Sequence, residues 1–250
     1  MTEITEKLDF PRITAECDRL FNNGDSTGVE ALLLKQLALA EDTGEHSLQL
    51  FIQSELMGHY RMKGDHEKSQ LAVERGLQLL AKMPELDPVS TGTILINAGT
   101  ALSASGNFDA ALELYLQTAQ YYAENLKESD PLWAGLFNNM ASVYSAQKDF
   151  ASAEKYYLKA LDILNVNPPT PDTAVTCINL AQLYASRDAD DPMIGIMLSP
   201  AQECFDSPAL ARNGYYAHSC LKCASAFGVF GHDDIEAELK FRAKEIYERH

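Results

Sequence analysis

Hydrophobic residues recur along the chain at helical spacing, in pairs of stripes that a short polar turn separates. Phe137, Met140, Ala141 and Tyr144 form one such stripe. The stripe after the next turn consists of Ala153, Tyr156, Tyr157 and Ala160. Apolar residues spaced three and four positions apart indicate amphipathic helices that bury one face. Because no segment shows strand-like alternation between turn residues, the pattern predicts an all-α chain made of helix pairs.

The helix pairs repeat about every 42 residues. The turn residues Gly64, Gly106 and Lys148 follow one another at intervals of 42 residues, and the large residue four positions before each turn continues as Tyr184 and Phe227. One pair cannot bury its own apolar face, so we expect the pairs to stack into a single α-solenoid over residues 1–250, with no independent domain boundary. The expected pairs are 9–45, which is a divergent pair or cap, and 46–84, 88–126, 130–165, 171–206 and 208–250.

Helix starts and turns carry residue types that favour them. An N-cap residue followed by proline predicts a helix start, because proline lacks the N–H that the first turn leaves unpaired anyway. Four such dipeptides are Asp87-Pro88, Asp130-Pro131, Asp191-Pro192 and Ser207-Pro208. Glycine after a helix suits the positive φ of a C-terminal cap, so we expect this conformation at Gly64, Gly106 and Gly231.

The segment 140–161 resembles the tetratricopeptide repeat family. It carries residues of the family's types in register at Ala141, Tyr144, Ala153, Tyr157 and Ala160. The interval near 42 residues resembles the longer kinesin-light-chain type of repeat, since the common repeat has about 34 residues. The resemblance implies a right-handed superhelical α-solenoid of antiparallel helix pairs, in which the first helix of each pair lines a concave, peptide-binding groove. Gly76 departs from the pattern at the small position of a second helix.

One polar residue recurs at the same level of three successive first helices, as Asn97, Asn139 and Asn179. A carboxamide offers donors and an acceptor, so such a row can bind a peptide backbone without reading its side chains. The resemblance implies this use. The alternative is that each asparagine bridges neighbouring helices or caps a backbone group inside the solenoid. The other residues expected at the groove are Asn138, Thr100, Ser142, Gln182 and Lys222.

The charge balance limits the class of partner. The formal net charge is −16, from 36 acidic and 20 basic residues, which disfavours nucleic acid and anionic membranes and favours a basic or amphipathic protein segment. Five cysteines are few and odd in number, so we expect reduced thiols. The polar N-terminus and the lack of any apolar run of about 18 residues predict a cytoplasmic protein.

The sequence predicts no catalytic residue, no metal and no cofactor. Cys220 and Cys223 have the spacing of a metal or redox motif, but no second pair completes a zinc site, and helix packing is the preferred interpretation. His218 and Cys204 are the residues that could join them. No phosphate-binding, nucleotide-binding or hydrolase motif occurs. The predicted function is therefore a non-catalytic scaffold or adaptor that binds a protein or peptide.

Two other functions stay open. The chain could be a regulatory sensor whose curvature changes when a signalling peptide binds, or a metal protein or enzyme that uses the cysteine-rich last pair. Self-association is a further expectation, since the sequence ends directly after a second helix and the terminal face near Phe227 and Tyr247 has no separate capping helix. That face would form a homodimer.

Overall fold

The computed structural model describes residues 8–22 and 24–248, which form twelve α-helices and no strand. The predicted all-α fold of helix pairs is confirmed. In this part of the chain no helix is both long and apolar enough to cross a membrane. The prediction about the polar N-terminus concerns residues 1–7, which lie outside the described residues. The helices are α1 (Phe10–Asn22), α2 (Ser26–Asp42), α3 (His46–Lys63), α4 (His66–Leu80), α5 (Pro88–Ala104), α6 (Phe108–Asn125), α7 (Leu132–Ala146), α8 (Phe150–Asn165), α9 (Pro171–Arg187), α10 (Met193–Asp206), α11 (Gly214–Val229) and α12 (Asp233–Tyr247).

The chain divides into two compact units, Met1–Asn125 and Leu126–His250, which we call the N-terminal and C-terminal units. In the N-terminal unit each of α1 to α5 packs against the next helix, and the first helices α3 and α5 also pack side by side. In the C-terminal unit α9 is central, because it packs against α7, α8, α10 and α11. Each unit has its own hydrophobic core. The single solenoid over residues 1–250 stays a prediction.

The turns between paired helices adopt the expected backbone conformation. Gly64, Gly106 and Gly231 have φ of 70°, 80° and 83°, as predicted for C-terminal caps. Lys148 has φ of 64° although it carries a side chain. It occupies the position of Gly64 and Gly106 in the repeat, so the turn geometry is retained where glycine is absent.

Helices begin within one residue of three of the four predicted starts, and of the three aspartates only Asp87 is the N-cap residue itself. The Asp87 carboxylate accepts a hydrogen bond from the N–H of Ser90 at 2.9 Å, with Pro88 as the first helical residue. The other two helices begin one residue after the proline. Here the carboxylates of Asp130 and Asp191 accept from the N–H groups of Leu132 and Met193.

The helix start predicted at Ser207-Pro208 is wrong. The last pair begins at Gly214, where the Asn213 side chain accepts from the N–H of Tyr216 at 3.0 Å. The intervening segment is a loop anchored by tertiary contacts. Arg212 donates to the carbonyl of Phe205 at 2.7 Å, and Leu210 is buried. These contacts determine where the helix begins, rather than the local preference of proline.

Two glycines allow paired helices to pack closely. A Cβ atom at Gly99 would lie 2.5 Å from Cε1 of the buried Tyr115 ring. A Cβ atom at Gly76 would lie 2.4 Å from Cε of Met57, which is completely buried. Met57 stands 84 residues before Ala141, at the small position of the first helix. The glycine at position 76 therefore accommodates the large residue at position 57.

Candidate binding surfaces

Asn97 connects two first helices of the N-terminal unit. Its Nδ2 on α5 donates a hydrogen bond to Oγ of Ser54 on α3, at 2.8 Å. This is the bridging contact that the structural interpretation of the asparagines predicts. The Asn97 side chain is half-buried and lines a cavity, and its Oδ1 makes no hydrogen bond with the described residues. Asn97 therefore links the helices and keeps an acceptor.

A cleft in the N-terminal unit contains this asparagine. The first part has a volume of about 380 Å³ and is lined mainly by apolar residues. The second part, of about 680 Å³, shares Phe10, Ser47 and Met83 with the first. The rings of Phe10 on α1 and Phe51 on α3 pack with centroids 5.0 Å apart. We call the 380 Å³ part the Glu55 cleft; six of its lining residues are Phe10, Leu50, Phe51, Glu55, Ile94 and Asn97.

Sequence reasoning did not predict this cleft. Glu55 was recognisable as the residue at the level of Asn97 in the preceding pair, 42 positions earlier. The wall that α1 contributes was not, because Phe10 belongs to the divergent first pair, for which the repeat gives no register. An aromatic residue at the start of the first predicted helix, Phe10, is the sequence signal that could have suggested it, and in the structure this ring is exposed.

Glu55 is the only charged residue among the described residues that line the Glu55 cleft. Its carboxylate is half-buried and forms no hydrogen bond or ion pair with them. Burial, and then the neighbouring charge of Asp18, raises the pKa of Glu55. Burial and Glu55 also raise the pKa of the Cys17 thiol to about 11. The local field is therefore negative, and no cation of the described chain neutralises it.

The asparagines of the C-terminal unit have two different environments. Asn138 on α7 donates through Nδ2 to Oγ1 of Thr176 on α9, at 2.8 Å, and its Oδ1 is buried without a hydrogen-bond partner in the described residues. Thr176 is fully buried and donates to the carbonyl of Asp172. Asn139 and Asn179 are half-buried, and neither makes a hydrogen bond within the described residues. Asn138 therefore has the structural role, whereas Asn139 and Asn179 keep their hydrogen-bonding groups available.

Two predicted groove hydroxyls contact tyrosines of their own helix pairs. Thr100 Oγ1 lies 3.2 Å from the Tyr115 hydroxyl and donates to the carbonyl of Ile96 at 2.8 Å. Ser142 likewise neighbours Tyr157, and its hydroxyl lowers the pKa of that tyrosine against the larger effect of burial. Burial raises the pKa of each of these two tyrosines to about 12. These serine and threonine hydroxyls therefore take part in packing within a pair.

The last two residues predicted for the groove, Gln182 and Lys222, are solvent-exposed. Gln182 lies on α9 and Lys222 on α11, and neither side chain forms a hydrogen bond or ion pair with the described residues. Both are accessible to a partner. The alignment of Asn97, Asn139 and Asn179 into one continuous ladder stays a prediction.

The cysteines of the C-terminal unit are packed in its core. Cys177, Cys220 and Cys223 are buried, and Cys204 packs against the same cluster with partial exposure. Burial raises the pKa of Cys177 to about 11 and of Cys220 and Cys223 to about 12, so the thiols are protonated at neutral pH. Across residues 8–22 and 24–248, no group of three potential ligands is arranged to hold a metal ion. This packing agrees with the preferred interpretation of the Cys220 and Cys223 spacing.

Comparison with known proteins identifies the repeats. Residues 91–132 and 134–191 match the sequence pattern of the tetratricopeptide repeat. Among curated proteins, none matches the sequence of the chain.

Solved structures share the fold at low sequence identity. A protein from Podosopora anserina with nearly identical kinesin-light-chain TPR-like repeats is 20% identical, with a TM-score of 0.64 over 78% of this chain and 93% of that chain. The apo form of RapI is 14% identical, with a TM-score of 0.65 over 97% and 98%. A Rap protein complexed with competence and sporulation factor is 11% identical, with a TM-score of 0.54 over 93% and 62%. The resemblance seen in the sequence is thus confirmed: residues 91–132 and 134–191 match the tetratricopeptide repeat, and the chain shares its fold with a protein that has kinesin-light-chain TPR-like repeats.

Proposed function

We propose that this chain is a non-catalytic scaffold that binds a protein or peptide through the exposed surfaces of its first helices. The tetratricopeptide repeats support this class of function. The titratable groups support it too, because the buried cysteines and tyrosines have pKa values raised by burial, which makes them poor nucleophiles and bases at neutral pH. A basic or amphipathic partner fits the net charge of −16.

One observation carries the proposal: Asn139 and Asn179 retain free hydrogen-bonding groups on α7 and α9, which pack side by side. A half-buried carboxamide without a protein partner is hydrated in the free protein. A peptide backbone can replace that water and satisfy both a donor and an acceptor. Gln182 and Lys222 add exposed polar groups to the same unit, and Asn97 offers its oxygen in the N-terminal unit.

Substitution of the two free asparagines tests the proposal. Peptides selected from a random displayed library on the wild-type protein are the probes, and titration calorimetry gives their affinity. Loss of one hydrogen bond at each asparagine, worth about 0.5–1.5 kcal/mol apiece, should weaken binding of the Asn139→Ala/Asn179→Ala variant roughly 5- to 150-fold. The matched control is Asn165→Ala, since Asn165 is exposed at the end of α8 in the same unit.

The control variant should bind the selected peptides with wild-type affinity. Unchanged binding by the double variant would remove the asparagines from the proposed site. Failure of the library to yield any binder would overturn the scaffold function itself. Absence of nucleic acid and membrane partners, a cytoplasmic location and a homodimer through a terminal helix face remain parts of this proposal.

A second candidate is a regulatory sensor that responds to a peptide. The Rap protein that shares this fold motivates it, because that protein is complexed with competence and sporulation factor. A sensor must change conformation when its peptide binds, since a ligand shifts only states that it binds differently. Amide hydrogen exchange with and without a selected peptide distinguishes the two functions, because a scaffold is protected only where the peptide lies.

A further inference from the structure

The Glu55 cleft has a composition that the asparagine row does not explain. Phe10, Leu50, Phe51 and Ile94 give it an apolar lining, and a single charged group interrupts that lining. A half-buried carboxylate is costly unless an opposite charge pairs with it. Glu55 has no such partner in the described chain. The cleft is therefore complementary to a ligand that brings both an apolar surface and a positive charge.

The groups beside Glu55, an aromatic ring and a carboxamide oxygen, favour a guanidinium over an ammonium group. Phe51 and Glu55 are four residues apart on α3, so they are neighbours on one helix face. A cation paired with Glu55 therefore lies next to the Phe51 ring, and a planar guanidinium can stack on an aromatic face. Asn97 lines the same cleft, and its free oxygen can accept a further N–H. Arginine has five N–H donors to satisfy these acceptors, whereas lysine is a compact point charge.

The charges around the cleft also disfavour an acidic ligand. Asp18 raises the pKa of Glu55 and therefore adds to its negative field. The adjoining 680 Å³ cavity carries three carboxylates, Asp9, Glu45 and Glu85, against the two cations Arg12 and Lys82. With Glu55 the two cavities together have four carboxylates and two cations, so they favour a cationic segment, whose apolar neighbours can be buried against the phenylalanines.

We propose that the Glu55 cleft binds an arginine side chain of a partner peptide, which pairs with Glu55 and is flanked by apolar side chains that pack on the exposed Phe10 and Val89. This inference rests on the proposed function, since it assumes that the chain binds peptides. It assigns to Glu55 the role of selecting a basic, apolar segment. Asn97, whose Nδ2 binds Ser54, accepts a hydrogen bond from the same guanidinium through its Oδ1.

The test compares two short, end-capped, fluorescent peptides that differ at one residue. One has a central arginine flanked by leucines, and the other has citrulline in its place, which keeps the shape and removes the charge. Fluorescence anisotropy with the full chain gives both affinities. We expect the arginine peptide to bind about tenfold or more tightly, as a charge-assisted pair in a partly dry site requires. Glu55→Gln should remove this difference.

Glu74→Gln is the matched control, because Glu74 is exposed on α4 and does not line the cleft. It should keep the preference for arginine. Equal binding of the two peptides to the wild type would overturn the inference, whatever the Glu55 variant does, and this comparison needs no mutant to fold. A preference that survives Glu55→Gln would also overturn it. If neither peptide binds, the inference fails, while the proposed function fails only if the random library yields no binder.

Discussion

The two units use the same repeat for different surfaces. In the N-terminal unit, Asn97 is tied to Ser54 and borders a cleft that contains an unpaired carboxylate. In the C-terminal unit, Asn138 forms the bridge between first helices, and Asn139 is left free one residue later. A shared repeat position therefore does not assign a shared role. The role of an asparagine depends on whether the neighbouring first helix presents a hydroxyl within reach.

The two units also differ in the residues that fill the space between paired helices. The α7–α8 pair has alanine at both small positions, Ala141 and Ala160, and both are fully buried. The α3–α4 pair has Met57 at the first of these positions and Gly76 at the second. One large and one minimal residue thus replace two small ones. The repeat conserves the space between the helices rather than the residue at each position.

The largest expected effect concerns Met57. Met57→Ala should lower the free energy of unfolding by about 2–5 kcal/mol, because the side chain is fully buried and Gly76 has no atoms to fill the space. Adding Gly76→Ala should then recover about 1 kcal/mol through helix propensity. In the wild type the same glycine substitution forces Met57 to move. Urea denaturation followed by circular dichroism measures the four free energies of this double-mutant cycle.

Gly58→Ala provides the control for helix propensity alone. Gly58 lies in α3, and a Cβ atom there would meet nothing within 4 Å. It should stabilise the protein by up to about 1 kcal/mol. If Gly76→Ala stabilised the wild type as much as Gly58→Ala does, Met57 would not require glycine at position 76. The α3–α4 and α7–α8 pairs would then not differ in how they fill the space between their helices.

The next effect separates structural from free asparagines. Asn138→Ala removes the hydrogen bond to buried Thr176 and should cost roughly 0.5–1.5 kcal/mol of stability. Asn139→Ala should change stability by no more than about 0.5 kcal/mol, since it breaks no hydrogen bond within the described residues. Denaturation of the two variants side by side measures both values. Equal losses would contradict the assignment of different roles to these neighbouring residues.

The sequence predicts the helix pairs well because the same hydrophobic pattern recurs in several repeats, so each copy supports the alignment of the others. The 42-residue interval places Lys148 at the turn position of Gly64 and Gly106, and its φ of 64° shows that the alignment is correct there. The start of α11 differs from the prediction because the Phe205 carbonyl, at the end of α10, accepts hydrogen bonds from Arg212 and from the distant Arg242, and these contacts hold the following segment as a loop. Local preferences carry no information about these contacts.

The binding surfaces could be predicted only in part. Recurrence identifies the level of Asn97, Asn139 and Asn179, but it does not reveal which hydroxyl each amide reaches. Ser54 and Thr176 differ in their offset from the turn, so no single spacing rule finds both bridges. The Glu55 cleft depends on α1, whose place beside α3 follows from tertiary packing. A repeat pattern cannot supply that information.

The smallest expected effect compares the ion pairs that join the second helix of one pair to the next helix pair. Glu30 on α2 accepts hydrogen bonds from Lys63 at 2.6 Å and Lys68 at 2.8 Å. In the C-terminal unit, Glu154 accepts from Arg187 at 3.1 Å as its only cation among the described residues. Since all three cations are substantially exposed, Glu30→Gln should cost about 1 kcal/mol at neutral pH, and Glu154→Gln less.

The pH dependence shows whether the lysines cause the difference. They lower the pKa of Glu30 from 4.5 to about 2 in the folded chain, so its stabilising contribution is present above 4.5 and is lost as the pH falls through 2. The stability gap between wild type and Glu30→Gln should therefore close over that range, and high salt should narrow it at neutral pH. Carboxyl-carbon NMR measures the pKa directly. A Glu30 value near 4.5 would mean that both lysines are hydrated rather than paired in solution, and the two junctions would then be equivalent.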